Sequence, residues 1–272
     1  MGVMNLFDYH IHSDFSADCS TPMEKTIEQA IKLGLKEICF TEHLDYDYPD
    51  PTISFEFDRE AYDRKIKHMQ ETYRDHIVIK KGIEIGVEPH LLNKYTALME
   101  KETYDFVICS MHTSDRKELH YGTFFKNRST KEAYEIYYEE LLYCVKNYKQ
   151  YNVLGHLDLV KRYKTYDGNN DEFYPIIKEI FRTIILDGKG IEVNTSGYRY
   201  GLETAMPSID ILKLYKENGG EIITLGSDSH VESTLAFYFK ETLDQLKGIG
   251  FKYITTFENR QPIFHPIDKI KY

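Results

Sequence analysis

Short apolar runs rich in β-branched residues recur along the chain, each followed by a longer stretch whose apolar residues fall at helical spacing. Glu37-Ile38-Cys39-Phe40-Thr41, Ile77-Val78-Ile79 and Phe106-Val107-Ile108-Cys109 are of this kind. Phe7 to His10, Val153 to Gly155, Ile191 to Asn194, Ile222 to Leu225 and Tyr253 to Phe257 extend the series to about eight strands. Such alternation predicts βα units on a mostly parallel sheet, with enough strands to close a barrel. Two helix starts are marked. Thr21-Pro22-Met23-Glu24 predicts an N-cap Thr, a Pro at the first helical position and a Glu placed for a capping box; Gly34 closes that helix after a stripe of Ile27, Ala30 and Ile31. Ser129-Thr130-Lys131-Glu132 repeats the capping-box pattern before a helix whose Tyr137, Leu141 and Cys144 share a face and read as core.

No Pro-rich or Ser/Gly-rich linker and no short repeat divides the 272 residues, so one domain over 1–272 is expected. Cys19, Cys39, Cys109 and Cys144 lack CxxC spacing and read as reduced thiols. Neither a basic-then-apolar leader nor an 18-residue apolar run is present, which predicts a cytoplasmic protein without a membrane partner. The net charge of −10 argues against a broad basic face for nucleic acid. An anion-binding protein of this composition needs a local source of positive charge, and the eleven histidines become the feature to place.

Their positions carry the chemistry. His10 and His12 end the first strand, His43 the second, Glu84 the third, His112 the fourth, His156 the fifth, and Asp228 with His230 the seventh. In a βα barrel all those ends point to one face, where barrel enzymes place their active sites. Side chains two apart on extended backbone point the same way, so His10-Ile11-His12 and Asp228-Ser229-His230 each offer two donors to one ion. Polar residues at the ends of apolar strands are costly unless compensated, and coordination compensates them. Imidazoles mixed with a few carboxylates suit Zn, Mn or Fe better than Mg or Ca. His68, His76, His90, His120 and His265 read as solvated surface.

These residues bring in a resemblance. The order His10-Ile11-His12, Thr41-Glu42-His43, Gly82-Ile83-Glu84, Ser110-Met111-His112, Gly155-His156 and Ser227-Asp228-Ser229-His230 resembles the polymerase-and-histidinol-phosphatase (PHP) superfamily. Gly155 to Tyr163 and Phe257-Glu258-Asn259-Arg260 are similar to segments of its stand-alone histidinol-phosphate phosphatases. The resemblance implies an α/β fold, a distorted (β/α)7 TIM-like barrel with the metal site at the C-terminal strand ends, which makes the eighth candidate strand one too many. It implies three divalent ions: one on His10, His12, Glu84 and Asp228, a second sharing Glu84 with His112 and His156, a third on His43, His230 and Asp18. Asp18 stands where some relatives carry His, which makes the third site harder.

The implied reaction is hydrolysis of a small phosphomonoester, L-histidinol phosphate, by a metal-bridging hydroxide, within histidine biosynthesis. Three divalent ions bring +6 against −3 from Asp18, Glu84 and Asp228, so the acidic chain acquires a focused positive pocket. Arg162 and Arg199 follow the fifth and sixth strands and are expected in loops of the catalytic face as phosphate clamps; Arg116 and Arg128 lack that placement. Glu42, His43 or a third-metal water are candidates to protonate the leaving group. Asp158, Tyr163 and Tyr166 are candidate contacts to the ammonium and imidazole. A monomer or small homo-oligomer is expected. Rival readings are a protein-tyrosine phosphatase or a DNA-end nuclease of the same superfamily, or a catalytically silent metal-binding regulator.

Overall fold

Alternating strands and helices arise where the apolar runs predict them, as a computed structural model describes over residues 6–270. In chain order the elements are β1 (Phe7–Ile11), α1 (Met23–Leu33), β2 (Glu37–Leu44), α2 (Arg59–Tyr73), β3 (Val78–Gly86), α3 (Leu92–Met99), β4 (Phe106–Ser110) and the small strands β5 (Thr113–Ser114) and β6 (Lys117–Glu118). There follow α4 (Thr130–Asn147), β7 (Val153–Leu154), α5 (Val160–Tyr163), α6 (Tyr174–Leu186), β8 (Gly190–Asn194), α7 (Ser196–Arg199), α8 (Ile209–Glu217), β9 (Ile223–Gly226), α9 (Phe239–Ile249), β10 (Tyr253–Glu258) and β11 (Gln261–Pro266).

Seven strands pair in parallel in the order β1-β2-β3-β4-β7-β8-β9, an α/β barrel of TIM-like form. β1 and β9 meet without a regular ladder. Asp228 N–H donates to His10 O at 2.8 Å and His12 N–H to Ser229 O at 2.9 Å. Below them the buried Asp8 carboxylate accepts from Ser227 N at 2.9 Å and Ala236 N at 3.0 Å. The seam is therefore closed next to the very residues that carry the donors.

The eighth candidate strand, Tyr253 to Phe257, forms but does not join the barrel. It pairs antiparallel with β11, because Asn259 and Arg260 both adopt positive φ (49° and 66°) and turn the chain back in a two-residue hairpin. Phe257 N–H donates to Tyr9 Oη at 3.0 Å, the phenol proton going to Glu37, and Arg260 N–H donates to Asp105 O at 2.8 Å, so the hairpin lies against the end opposite the candidate site. His265, read as a loop residue, lies in β11 and stacks on Phe7 at 4.3 Å.

The start of α1 also differs. Pro22 is its N-cap, and the Thr21 hydroxyl instead donates to His230 O at 2.9 Å, which ties the helix start to the loop after β9. Gly34 adopts φ 77° and the Ser129–Glu132 capping box forms as predicted. Tyr137, Leu141 and Cys144 are core, and all four cysteines are unpaired and buried.

The tyrosine-rich composition has a structural cause. Tyr62, Tyr95 and Tyr215 are fully buried, and each hydroxyl reaches a carbonyl in or next to a strand: Gly82 O at 2.9 Å, Gly86 O at 2.8 Å and, just before β9, Ile222 O at 3.1 Å. A ring fills the helix–sheet layer while its hydroxyl satisfies backbone. No helix among the described residues is long and apolar enough to cross a membrane.

Candidate metal centre

His10 and His12 lie on alternate residues at the end of β1, and Glu84 projects from β3 between their ring nitrogens. His10 Nε2 is 3.0 Å from His12 Nε2 and 3.1 Å from Glu84 Oε2. Asp228 Oδ1 is 3.5 Å from His12 Nε2 and 3.8 Å from His10 Nε2. Donors sharing one tetrahedral ion at bond lengths near 2.1 Å stand about 3.4 Å apart, so this set has the separation of a shared ion's ligands. Glu84 Oε1 gives a second set, 3.2 Å from His112 Nε2 and 3.0 Å from His156 Nε2. A third gathers on Asp18, whose Oδ2 is 3.2 Å from His230 Nε2 and 3.6 Å from His43 Nε2. His12, His43 and His230 are also mutually within reach of one ion.

Hydrogen bonds on the outer ring nitrogens fix which face each imidazole presents. His10 Nδ1 donates to Glu192 Oε1 at 2.5 Å, His112 Nδ1 to Asp45 Oδ1 at 2.7 Å and His230 Nδ1 to Asp228 O at 3.1 Å. Ser16 donates its hydroxyl proton to Glu42 at 2.6 Å, and its oxygen therefore accepts from His12 Nδ1 at 3.1 Å and from His43 N–H at 3.0 Å. With Nδ1 held in these bonds, each of these rings aims its Nε2 at the cluster. Glu84 Oε2, His43 Nδ1 and His156 Nδ1 are buried without a well-aligned hydrogen bond, although Glu84 Oε2 and His43 Nδ1 lie 2.9 Å apart. Nitrogen and carboxylate lone pairs crowded together at this spacing fit divalent ions.

Without metal the cluster pairs charges: burial lowers His10 and His112, but Glu192, Glu84 and Asp228 raise the first and Asp45 and Glu84 the second well above the usual imidazole range, protons that bound ions would displace. Burial pushes the Glu84 carboxyl up, but His10, His43 and His112 outweigh it and hold the group well below the usual carboxylate range. Asp228 behaves alike, with His10, His12 and His230 opposing burial. Burial together with His43 and His230 keeps His12 neutral, the state a ligand needs.

A cavity of about 400 Å³ opens over the cluster. Asp18, His43, His112, His156, Asp228 and His230 line it, as do Arg162, Arg199 and Tyr163. The two arginines sit on the single-turn helices α5 and α7 rather than in irregular loops. Arg199 is largely committed: its Nη1 donates to Ser227 O at 2.7 Å and its Nη2 to Asp228 O at 2.8 Å. Glu42 is walled off from the cavity, accepting from the Ser13 and Ser16 hydroxyls, both at 2.6 Å, so it orients ligands and is not placed to protonate a leaving group. Asp158 turns away to Ser208 N at 3.0 Å and Lys161 Nζ at 2.6 Å. Tyr166 packs on Phe173 and bonds Glu172 outside the cavity. His120, read as surface, is exposed but lines the mouth, edge-on to Tyr121 and Tyr163.

Residue patterns missed the outer partners. Asp45 lies two residues after His43, and period two along β2 was the available signal. Glu192, an acidic residue inside an apolar strand, was another. Ser16, Phe55 and Tyr200 had no signal, because their roles depend on loops folding over the strand ends.

Fold and donors together define a barrel protein built to hold a cluster of divalent ions. Residues 8–196 match the PHP domain. The histidinol-phosphatase of Lactococcus lactis subsp. lactis (strain IL1403) is 35% identical over 98% of each chain. That of Bacillus subtilis (strain 168) is 23% identical over 88% of this chain and 98% of its own. The crystal structure of histidinol phosphate phosphatase from Lactococcus lactis, complexed with zinc, L-histidinol and phosphate, superposes with a TM-score of 0.87 at 32% identity, covering 94% of this chain and 98% of that one. The chain belongs to the PHP domain family.

Proposed function

We propose that the protein is a metal-dependent phosphatase that hydrolyses L-histidinol phosphate to L-histidinol and phosphate. The observation that carries this reading is the near full-length match to a relative crystallised with zinc, L-histidinol and phosphate, combined with a cavity holding the metal donors and Arg162 together.

Three ions are assigned to the three donor sets: His10, His12, Glu84 and Asp228; Glu84, His112 and His156; Asp18, His43 and His230. Zinc is the first choice, as the metal of that relative, and the imidazole-carboxylate mixture suits it. When bound, divalent ions supply Lewis acidity, polarising phosphoryl oxygens and making water a nucleophile near neutral pH.

The chain's own residues do the rest. Glu84 spans the first two donor sets, and Asp45, Ser16 and Glu192 keep the imidazoles aimed. Arg162 offers its guanidinium to the phosphoryl oxygens, while Arg199 holds the turn bearing Asp228 and presents its remaining N–H groups to the cavity. Two aromatic banks frame the ester substituent. Phe55 stands edge-on to His43 at 5.3 Å with Tyr48 behind it at 4.9 Å, and Tyr163 extends from Arg162 toward His120 and Tyr121. Such rings accept a flat imidazole by stacking and an ammonium by cation–π attraction. Among the described residues no lysine lines the cavity, in keeping with a small substrate held by metal and arginine rather than by a basic groove.

The test is phosphate release from L-histidinol phosphate by zinc-loaded protein, removed by chelation and restored by zinc. Turnover that survives complete metal removal overturns the reading.

A further inference from the structure

Glu192 lies on β8 inside the barrel, 1% exposed, and none of its described contacts is to lysine or arginine. Its two carboxylate oxygens serve two different donor sets. Oε1 accepts from His10 Nδ1 at 2.5 Å, and His10 belongs to the first set. Oε2 accepts from the backbone N–H of His156 at 3.0 Å and from Asn194 Nδ2 at 3.2 Å, and His156 belongs to the second. The neighbouring strand β9 leaves room for this carboxylate: a Cβ on Gly226 would lie 2.1 Å from Oε1 and 2.5 Å from His10 Cβ.

We infer that Glu192 is a positioning residue that joins the first two metal sets. It keeps the proton on His10 Nδ1, so Nε2 faces Glu84 and Asp228, and it anchors the His156 backbone, so that ring's Nε2 stays 3.0 Å from Glu84 Oε1. A carboxylate is required because an acceptor is needed at each end. Glutamine has one acceptor oxygen, and its NH2 would oppose either the His10 N–H or the His156 N–H. Aspartate keeps both acceptors but is one methylene too short to reach both partners. The inference rests on the metal centre alone and is independent of the substrate.

The experiment uses the full chain with Glu192→Gln and Glu192→Asp, loaded with zinc and titrated against a competing chelator, with the melting temperature of the metal-free proteins as control. In Glu192→Gln, zinc affinity should fall about 10- to 100-fold, the range seen when a ligand's outer partner is removed. Metal-free Glu192→Gln should melt within a few degrees of the parent chain, and excess zinc should recover bound metal. Glu192→Asp should fall between the two. Parental zinc affinity in both variants overturns the inference. So does failure of both metal-free variants to fold, since the residue is then structural. Zinc binding is read directly, so absence of turnover on histidinol phosphate would count against the proposed function only.

Discussion

The guanidinium carbon of Arg162 sits 3.3 Å from the centre of the Tyr200 ring, and the Arg162 Nε is buried without a hydrogen bond. Its nearest carboxylate oxygen, Asp228 Oδ2, is 3.9 Å away. Stacking rather than hydrogen bonding thus holds the guanidinium flat over the cavity, leaving its donors for an anion. Tyr200→Ala should raise KM for the phosphate ester by roughly 2- to 30-fold, the equivalent of about 0.5–2 kcal/mol of cation–π attraction, whereas Tyr200→Phe should stay near the parent value. Steady-state kinetics on both variants checks it.

Arg199 behaves differently because it donates to the carbonyls of Ser227 and Asp228, and Asp228 itself sits at positive φ (54°). Arg199→Ala should therefore lose retained zinc as well as activity. Arg162→Ala should lose activity, on the order of 100-fold in kcat/KM, with zinc content unchanged; a lost interaction with a charged group is worth several kcal/mol at most. Metal analysis beside kinetics separates the two arginines.

Gly86 faces the carboxylate that orients His112. A Cβ there would lie 1.8 Å from Asp45 Oδ1, so Gly86→Ala must displace Asp45 and with it the 2.7 Å bond to His112 Nδ1. The expected result is a loss of about 1–3 kcal/mol in stability from overpacking and weaker zinc binding. Denaturant melts of metal-free protein and a zinc competition titration measure the two effects.

Glu88 gives a pH dependence. Burial, reinforced by Glu140 and Asp45, pushes its carboxyl from 4.5 up to about 8. The native state thus keeps a proton that the unfolded chain releases near pH 4.5, so this group's contribution is full below 4.5 and is lost as pH rises through about 8. Glu88→Gln, which cannot ionise, should match the parent melting temperature near pH 5 and exceed it near pH 9. An unchanged difference between the two proteins across that range would contradict the assignment.

The barrel and the strand-end donors were legible in the chain because both depend on local period, whereas the grouping of donors into ion sets, and Asp18 altogether, came from the family resemblance. Apolar runs mark the strands, and polar residues at their C-terminal ends fall on the common face, as His43, Glu84, His112 and His156 do. What the pattern could not place were contacts made by chain reversal. The Asn259-Arg260 turn removes Tyr253 to Phe257 from the barrel, and the Thr21 hydroxyl leaves its helix for His230 O. Asp158 was read as facing the substrate, yet Lys161, one helical turn on, and Ser208 take its charge. Orientation within a loop has no sequence period, so the outer partners and the aromatic banks emerge only in three dimensions.

Substrate preference of the zinc-loaded chain tests the central claim most directly. Measured as kcat/KM, L-histidinol phosphate should exceed an aryl phosphate and a phosphotyrosine peptide by at least about 30-fold, the combined worth of an imidazole and an ammonium contact at about 1–2 kcal/mol each. Equal or greater kcat/KM on the phosphotyrosine peptide would contradict it.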